Sequence, residues 1–453
     1  MQRGFLFLVL LVFSFLSAQA GQIHLDCPAM VALALSKDPR VAEEAYPSEA
    51  KRNRIEQIKM DAILPKASVY FAVGPTPGLS EYVQSGDTIS RWDFSKIGPY
   101  MGTKIEVAQP LNLGQYHTGI KAAKADLAQT EWDIQAKRVE RAQEYQQYYY
   151  GYLLALESCR LSKEAARQMQ KAEDRIDSLL DEDDEKTSQD DLLQIKAGRY
   201  EVDKAVSQAE NGLRKANLAI HFALQLADQD TFVPAETLLV QREDAIPPLD
   251  TLKSWLRVAN PELKRLENGL VAKTTLVELE EDKLGPEFFI FGSFKFAKSW
   301  AMDRENLSQN ALVRDPVNTL TGSLGLGMRF NLNIWSDKEK IRKTRIDLRQ
   351  LKLKEAYALK GLQMLLEQQY NDWIMARDNL ESARSSLRAS EALLKGAAMR
   401  FDVDPSEGSK LVDAYKRNIL MQKDYYFAVY QYNIAVAGLL AKVGLELAIF
   451  PRS

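Results

Sequence analysis

The densest chemistry in this 453-residue chain is one acidic run. Asp181, Glu182, Asp183, Asp184 and Glu185 are consecutive, and Asp190 and Asp191 follow closely. Carboxylates held this close repel one another and favour cations or protons between them. The same composition also describes a plain solvated acidic turn. Little else is set out for chemistry. His24, His117 and His221 have no metal-ligand spacing, and the two cysteines, Cys27 and Cys159, are too few for a disulfide framework. Glycine-rich phosphate loops and a nucleophile elbow are absent. The residues therefore suggest no metal centre, no cofactor and no enzyme. A formal net charge of -3 gives no reason to expect nucleic acid as a partner.

The elements that carry these residues begin with an export signal. Arg3, an apolar stretch from Phe5 to Leu16 and Ala18-Gln19-Ala20 read as a cleaved signal peptide over 1–20. Losing Arg3 takes the formal charge from -3 to -4. His24-Leu25-Asp26 lacks the small residues expected before a lipidated cysteine. No later stretch is apolar and long enough to span a bilayer as a helix. An exported chain of this kind is soluble in the periplasm, secreted, or held in the outer membrane by strands.

The mature chain reads as two copies of one unit, related by an offset of 221 residues. Pro65 falls on Pro286, Val69 on Ile290, Tyr149 on Tyr370 and Tyr152 on Trp373; after a one-residue slip, Asp38-Pro39 corresponds to Asn260-Pro261. The expected repeats are 21–228 and 256–453, joined by a Pro-rich linker, 229–255, placed as a belt. Each repeat reads helix, strand, long loop, strand, very long helix, tip and return helix. The strand pairs are expected at 66–74 with 99–113 and at 287–299 with 320–334.

From Leu320 to Ile334 apolar residues or glycine alternate with others at a period of two, including Leu324, Leu326, Met328 and Phe330. Phe288, Ile290, Phe294 and Phe296 alternate likewise. A soluble strand usually runs about five or six residues. A membrane-barrel strand needs about nine to eleven, with one face toward lipid. Those eight residues are the expected lipid-facing set. Long loops, Pro75 to Gly98 and Ser299 to Thr319, carry the girdle-type aromatics Trp92 and Trp300. Four strands cannot close a barrel, because about eight is the working minimum. Other copies must complete the sheet, and strand arithmetic alone allows two or three copies.

Long helices are expected at 115–180 and 337–400, with return helices at 188–228 and 409–447. Their apolar residues step by three, four or seven, as in coiled coils. About 65 residues make roughly 100 Å of helix. By the same bookkeeping Cys27 and Cys159 fall at comparable heights, which leaves a disulfide between them open.

Asn/Asp-Pro, a helix, then Pro before an alternating strand is similar to the outer-membrane efflux protein family typified by TolC. Gln109-Pro110-Leu111-Asn112-Leu113-Gly114-Gln115 resembles that family's strand-to-helix junction, and Arg400 to Val403 with Leu411 to Ala414 resembles its tip signature. The resemblance covers nearly all of the mature chain. It implies a mainly α fold with membrane β: a long antiparallel helical barrel plus four strands per protomer in a 12-stranded trimeric β-barrel. It implies outer-membrane lipid around the strands and a periplasmic adaptor at the mouth. Through the adaptor it implies an inner-membrane pump or ABC transporter, for efflux or type I secretion. It makes Asp191 and Asp413 aperture-lining residues, with Lys410 where a second carboxylate is expected. Phe401, Asp402 and Asp404 form the second tip, and Asp404 and Asp183 stand near where the family often has Gly. Threefold symmetry would gather the acidic tips into a cation-favouring ring. The rival expectation is a periplasmic coiled-coil structural or adaptor protein whose strands form a soluble domain.

Overall fold

The computed structural model describes residues 22–84, 87–111, 113–181, 189–227, 229–301, 318–403 and 408–444. Among them are eight helices: α1 Cys27–Lys37, α2 Pro39–Ile63, α3 Leu113–Asp181, α4 Gln189–Leu224, α5 Leu249–Ala259, α6 Pro261–Asp282, α7 Ile334–Val403 and α8 Gly408–Val443. The six described strands are β1 Gln22–Leu25, β2 Lys66–Gln84, β3 Asp87–Pro110, β4 Thr231–Pro234, β5 Glu287–Ser299 and β6 Thr319–Arg329. The contacts divide into two units.

The first unit comprises the described residues of Ala45–Asp133 and Glu262–Ala358. Its sheet is antiparallel, in the order β2-β3-β5-β6. The helices that lead into and out of these strands lie side by side in the matching order, as their ion pairs show. Lys51 of α2 meets Asp126 of α3 at 2.6 Å, Lys121 of α3 meets Glu278 of α6 at 3.0 Å, and Arg345 of α7 meets Glu281 of α6 at 2.7 Å. Each strand thus continues a helix of the same rank. The sheet is one layer thick, and so is the row of helices.

Several boundaries differ from expectation. The loop expected from Pro75 to Gly98 is mostly strand: β2 and β3 stay paired out to Gln84 and Asp87, with a register shift between Pro77 and Gly78. The prolines and glycines that suggested a loop lie within the ladder, Pro75 opposite Pro99 and Gly78 opposite Asp93. In the second pair β6 stops at Arg329 rather than 334, because its partner β5 begins at Glu287, opposite Arg329. Beyond it Asn331 accepts from the Asn333 amide at 3.1 Å and donates to Asp337 at 2.8 Å, turning the chain into α7. Of the other expected loop, 302–317 lies outside the described residues.

The second unit comprises the described residues of Met1–Glu44, Ile134–Pro261 and Leu359–Ser453. Here α3 pairs with α4 through Lys163–Glu210 at 3.0 Å and Arg199–Glu173 at 2.6 Å, and α7 meets α8 through Asn418 and Ser390 at 3.1 Å. Asp38-Pro39 and Asn260-Pro261 break the first helix of each half, as a residue before proline disfavours helix. The belt segment is not irregular throughout. Its β4 pairs in parallel with β1, and α5 opens at Leu249. The core includes Tyr145, Tyr149, Met30, Phe232, Leu256 and Leu439, all fully buried. Phe232 meets Tyr149 and Tyr152 edge-on at 6.2 and 5.2 Å, contacts worth about 0.5–1.5 kcal/mol each beyond burial. No disulfide joins Cys27 and Cys159. Cys27 hydrogen-bonds with Tyr150 of α3, and Cys159 lies nine residues further along that helix. About 13 Å of helix therefore separates Tyr150 from Cys159.

Candidate functional site

Directly paired residues of an antiparallel sheet share a face, so the register sorts every side chain of the first unit's sheet. One face carries the rows Val69–Ile105–Phe294–Gly322, Ala67–Val107–Gly292–Leu324 and Phe71–Thr103–Phe296–Leu320, then Ile290–Leu326 and Phe288–Met328. Seven of the eight residues expected to face lipid stand on it. The exception is Phe330, which is exposed but lies just past the end of β6. The face is uncovered: Leu324 is 84% exposed, Leu326 79% and Phe71 66%. A contiguous apolar surface of this extent is not normal for a soluble monomer.

The other face is polar. Its rows are Ser68–Glu106–Ser293–Ser323 and Tyr70–Lys104–Lys295–Thr321, with Glu287 opposite Arg329 at the helical end. Ser293 and Ser323 share a hydrogen bond of 2.7 Å, Lys104 pairs with Glu106 at 2.5 Å, and Arg329 pairs with Glu287. Phe289 and Phe291 also lie on this face, 6.1 Å apart. They cover Gly327 and Gly325 of β6, where a Cβ would meet the rings at 2.4 and 3.0 Å. Glycine here lets two aromatic rings lie flat across the neighbouring strand.

Both edges of the sheet, β2 and β6, lack a partner strand among the described residues. Aromatics sit at its ends. Trp300 is stacked by Lys298 at 5.3 Å, and Trp335, at the start of α7, by Lys338 at 5.6 Å. None of the described helices is long and apolar enough to cross a membrane.

The expected tip residues lie at the feet of the helices. Asp181 ends α3, Asp191 opens α4, and Asp402 is in the last turn of α7; nothing is described of their side chains. Glu182, Asp183, Asp184, Glu185 and Asp404 lie outside the described residues. Phe401 is half-buried, and Lys410 and Asp413 are exposed at the start of α8. The structure brings the feet of α3, α4 and α8 together. Leu180 of α3, Leu192 of α4 and Val412 of α8 pack on Met169 and Ile176, so Asp191 and Asp413 each adjoin one apolar cluster.

The sequence reading missed a polar knot in the second unit. Asp38, 6% exposed, accepts from Arg40 Nε at 3.0 Å and from the Tyr145 hydroxyl. Burial pushes its carboxyl up, but the hydrogen bonds from Arg40 and Tyr145 and the Arg40 charge outweigh this, so its pKa lies below the ordinary value. Burial and the neighbouring Asp38 raise the Tyr145 phenol. Glu144 accepts from Tyr148 at 2.6 Å and Arg141 at 3.1 Å and lies 3.6 Å from Arg40. The belt is tied to the helices nearby. Tyr149 donates to Glu236, while fully buried Asn433 of α8 donates to the Val240 carbonyl and accepts from the Arg242 amide, both at 2.9 Å. Burial raises the Glu236 pKa, and Asp26 adds to the rise. The Tyr-rich stripe of α3 was the visible signal. Its partners lie up to 124 residues away in sequence.

No protein-family model matches the chain, and no curated protein sequence matches it. Solved structures do. The outer-membrane channel OprN is 16% identical over 92% of this chain and 89% of its own, with a TM-score of 0.69. The Campylobacter jejuni CmeC outer-membrane channel is 13% identical over 92% and 85%, with a TM-score of 0.70. The Neisseria gonorrhoeae MtrE outer-membrane channel in its open state is 12% identical over 92% and 89%, with a TM-score of 0.69. At these identities the likeness is one of architecture, and the chain has the fold of these outer-membrane channels.

Proposed function

We propose that this chain is the protomer of a TolC-like homotrimeric exit duct of the bacterial outer membrane, extending into the periplasm. The observation that carries this is the four-stranded sheet with an uncovered apolar face, a polar opposite face and two open edges. Such a sheet is unstable alone in lipid or in water, because edges need partners and apolar surface needs cover. Three copies supply twelve strands, enough to enclose a water-filled passage lined by the polar face. The fold shared with OprN, CmeC and MtrE supports this reading. Within it, α2-β2-β3-α3-α4 and α6-β5-β6-α7-α8 are two copies of one ancestral repeat.

The duct is passive and performs no catalysis. A periplasmic adaptor docks at its mouth, and an inner-membrane pump or ABC transporter supplies the energy for efflux or type I secretion. Asp191, Asp413 and Lys410 line the closable mouth beside the acidic tip, Asp181 to Glu185, and the second tip, Phe401, Asp402 and Asp404. Fractionation and gel mobility test the core of this proposal. The protein should sediment with the outer membrane and run as an oligomer that heating converts to monomer. A carbonate-extractable, water-soluble monomer would refute it and favour the periplasmic structural or adaptor reading.

A further inference from the structure

Lys104 and Lys295 stand directly opposite each other across the β3–β5 pair, on the polar face of the sheet. Like charges at directly paired positions are unfavourable, since their side chains share one face at close range. The row they belong to, Tyr70–Lys104–Lys295–Thr321, offers no carboxylate. From this row to the helical end of the sheet, the described cations of this face other than Lys295 have partners. Arg329 pairs with Glu287, Lys104 with Glu106, and Lys66 lies 3.9 Å from Asp61. Glu106 is the only carboxylate in an adjoining row of the described sheet. It is opposite Ser293, diagonal to Lys295, and already engaged by Lys104. Lys295 is exposed and has no ion pair among the described residues. Two ammonium groups and one carboxylate leave this part of the polar face with an excess positive charge in every copy.

We propose that Lys295, backed by Lys104, forms an anion-favouring ring partway along the lumen and is a charge-selectivity determinant of the duct. This rests on the trimeric conduit proposed above. Three copies repeat the excess charge around one passage, and the low-dielectric wall behind it focuses the field into the water. Small anions, inorganic or bearing a carboxylate or phosphate group, are the chemistry such a ring concentrates. Side-chain charges at the lining are the usual means by which a wide pore discriminates by sign.

The test is reversal-potential measurement on the purified full-length protein in planar lipid bilayers under a KCl gradient. Dilute salt is needed, because the screening length is about 30 Å at 0.01 M and only about 10 Å at 0.1 M. Lys295→Glu should lower the chloride-to-potassium permeability ratio by at least about two-fold, and Lys295→Gln by less, with smaller shifts as salt rises. Lys295→Glu places a carboxylate opposite Lys104, so the sheet gains a cross-strand pair and assembly should persist on heat-modifiability gels. An unchanged ratio in conducting Lys295→Glu channels overturns the ring and leaves the conduit intact. Wild-type protein that neither oligomerises nor conducts overturns the conduit, and the ring with it.

Discussion

Replacing Leu324 with arginine separates a lipid-facing sheet from a soluble one. Leu324 is the middle residue of β6, is 84% exposed, and has a methyl group lying over Gly292. In a soluble protein a side chain so exposed tolerates substitution to within about 0.5 kcal/mol. Facing the bilayer midplane, arginine instead costs about 2–4 kcal/mol in each copy. In a trimer the cost is taken three times, about 6–12 kcal/mol per assembly. Ser323 is the internal control, because it is the preceding residue and points the other way, its hydroxyl 2.7 Å from that of Ser293. Ser323→Arg loses one exposed hydrogen bond, worth about 1 kcal/mol, and projects into water. Guanidinium midpoints in lipid vesicles, read by the loss of the heat-modifiable oligomer, compare the two. Leu324→Arg should be depleted from the outer membrane and far less stable than Ser323→Arg. Equal midpoints for both variants would refute the assignment of faces, and with it the pore.

Four further outcomes follow from the packing. Asp38→Ala removes a buried carboxylate that holds Arg40 and Tyr145 and should cost about 2–3 kcal/mol in denaturant unfolding, at the low end for a buried pair because Arg40 is partly exposed. The Asp38 carboxyl is held below its ordinary value, so its stabilisation is present above about pH 4 and is lost as the pH falls through the lowered pKa; Asp38→Asn should flatten that part of the stability profile. Gly327→Ala drives a Cβ into the Phe289 ring and should destabilise by about 1–3 kcal/mol, and Phe289→Ala in the same chain should relieve part of it in a double-mutant cycle. Gly444 closes α8 at a φ of 78°, where a Cβ would lie 2.5 Å from the Ala259 carbonyl; Gly444→Ala should lower the melting temperature through at least about 1–2 kcal/mol.

The residues differ in how much of this they disclosed. The alternation around Leu324 and Phe294 was readable because a two-sided environment imposes a strict period of two. The long helices were readable because no proline interrupts them. The outer part of the β2–β3 hairpin was not, since Pro75, Pro77, Gly78 and Gly98 speak locally for turns and only cross-strand pairing overrides them. The β1–β4 pair is four residues long, too short to show a period. The Asp38–Tyr145 knot could not be seen along the chain, because its partners meet only in the folded state. The opposition of Lys104 and Lys295 needed the register, which neither strand reveals alone.

The pairing of β1 with β4 sets a timetable. Gln22 finds its partner Thr231 some two hundred residues later in the chain. A polypeptide delivered leading end first must keep that end open until nearly half its length has emerged. Helix α1, which packs on α4, waits for the same arrival. Met30, Val31 and Leu35, all buried at completion, are therefore bare throughout the delay. For that interval the leading end carries apolar surface with nothing to bury it against, the exposure that makes incompletely folded chains prone to wrong contacts.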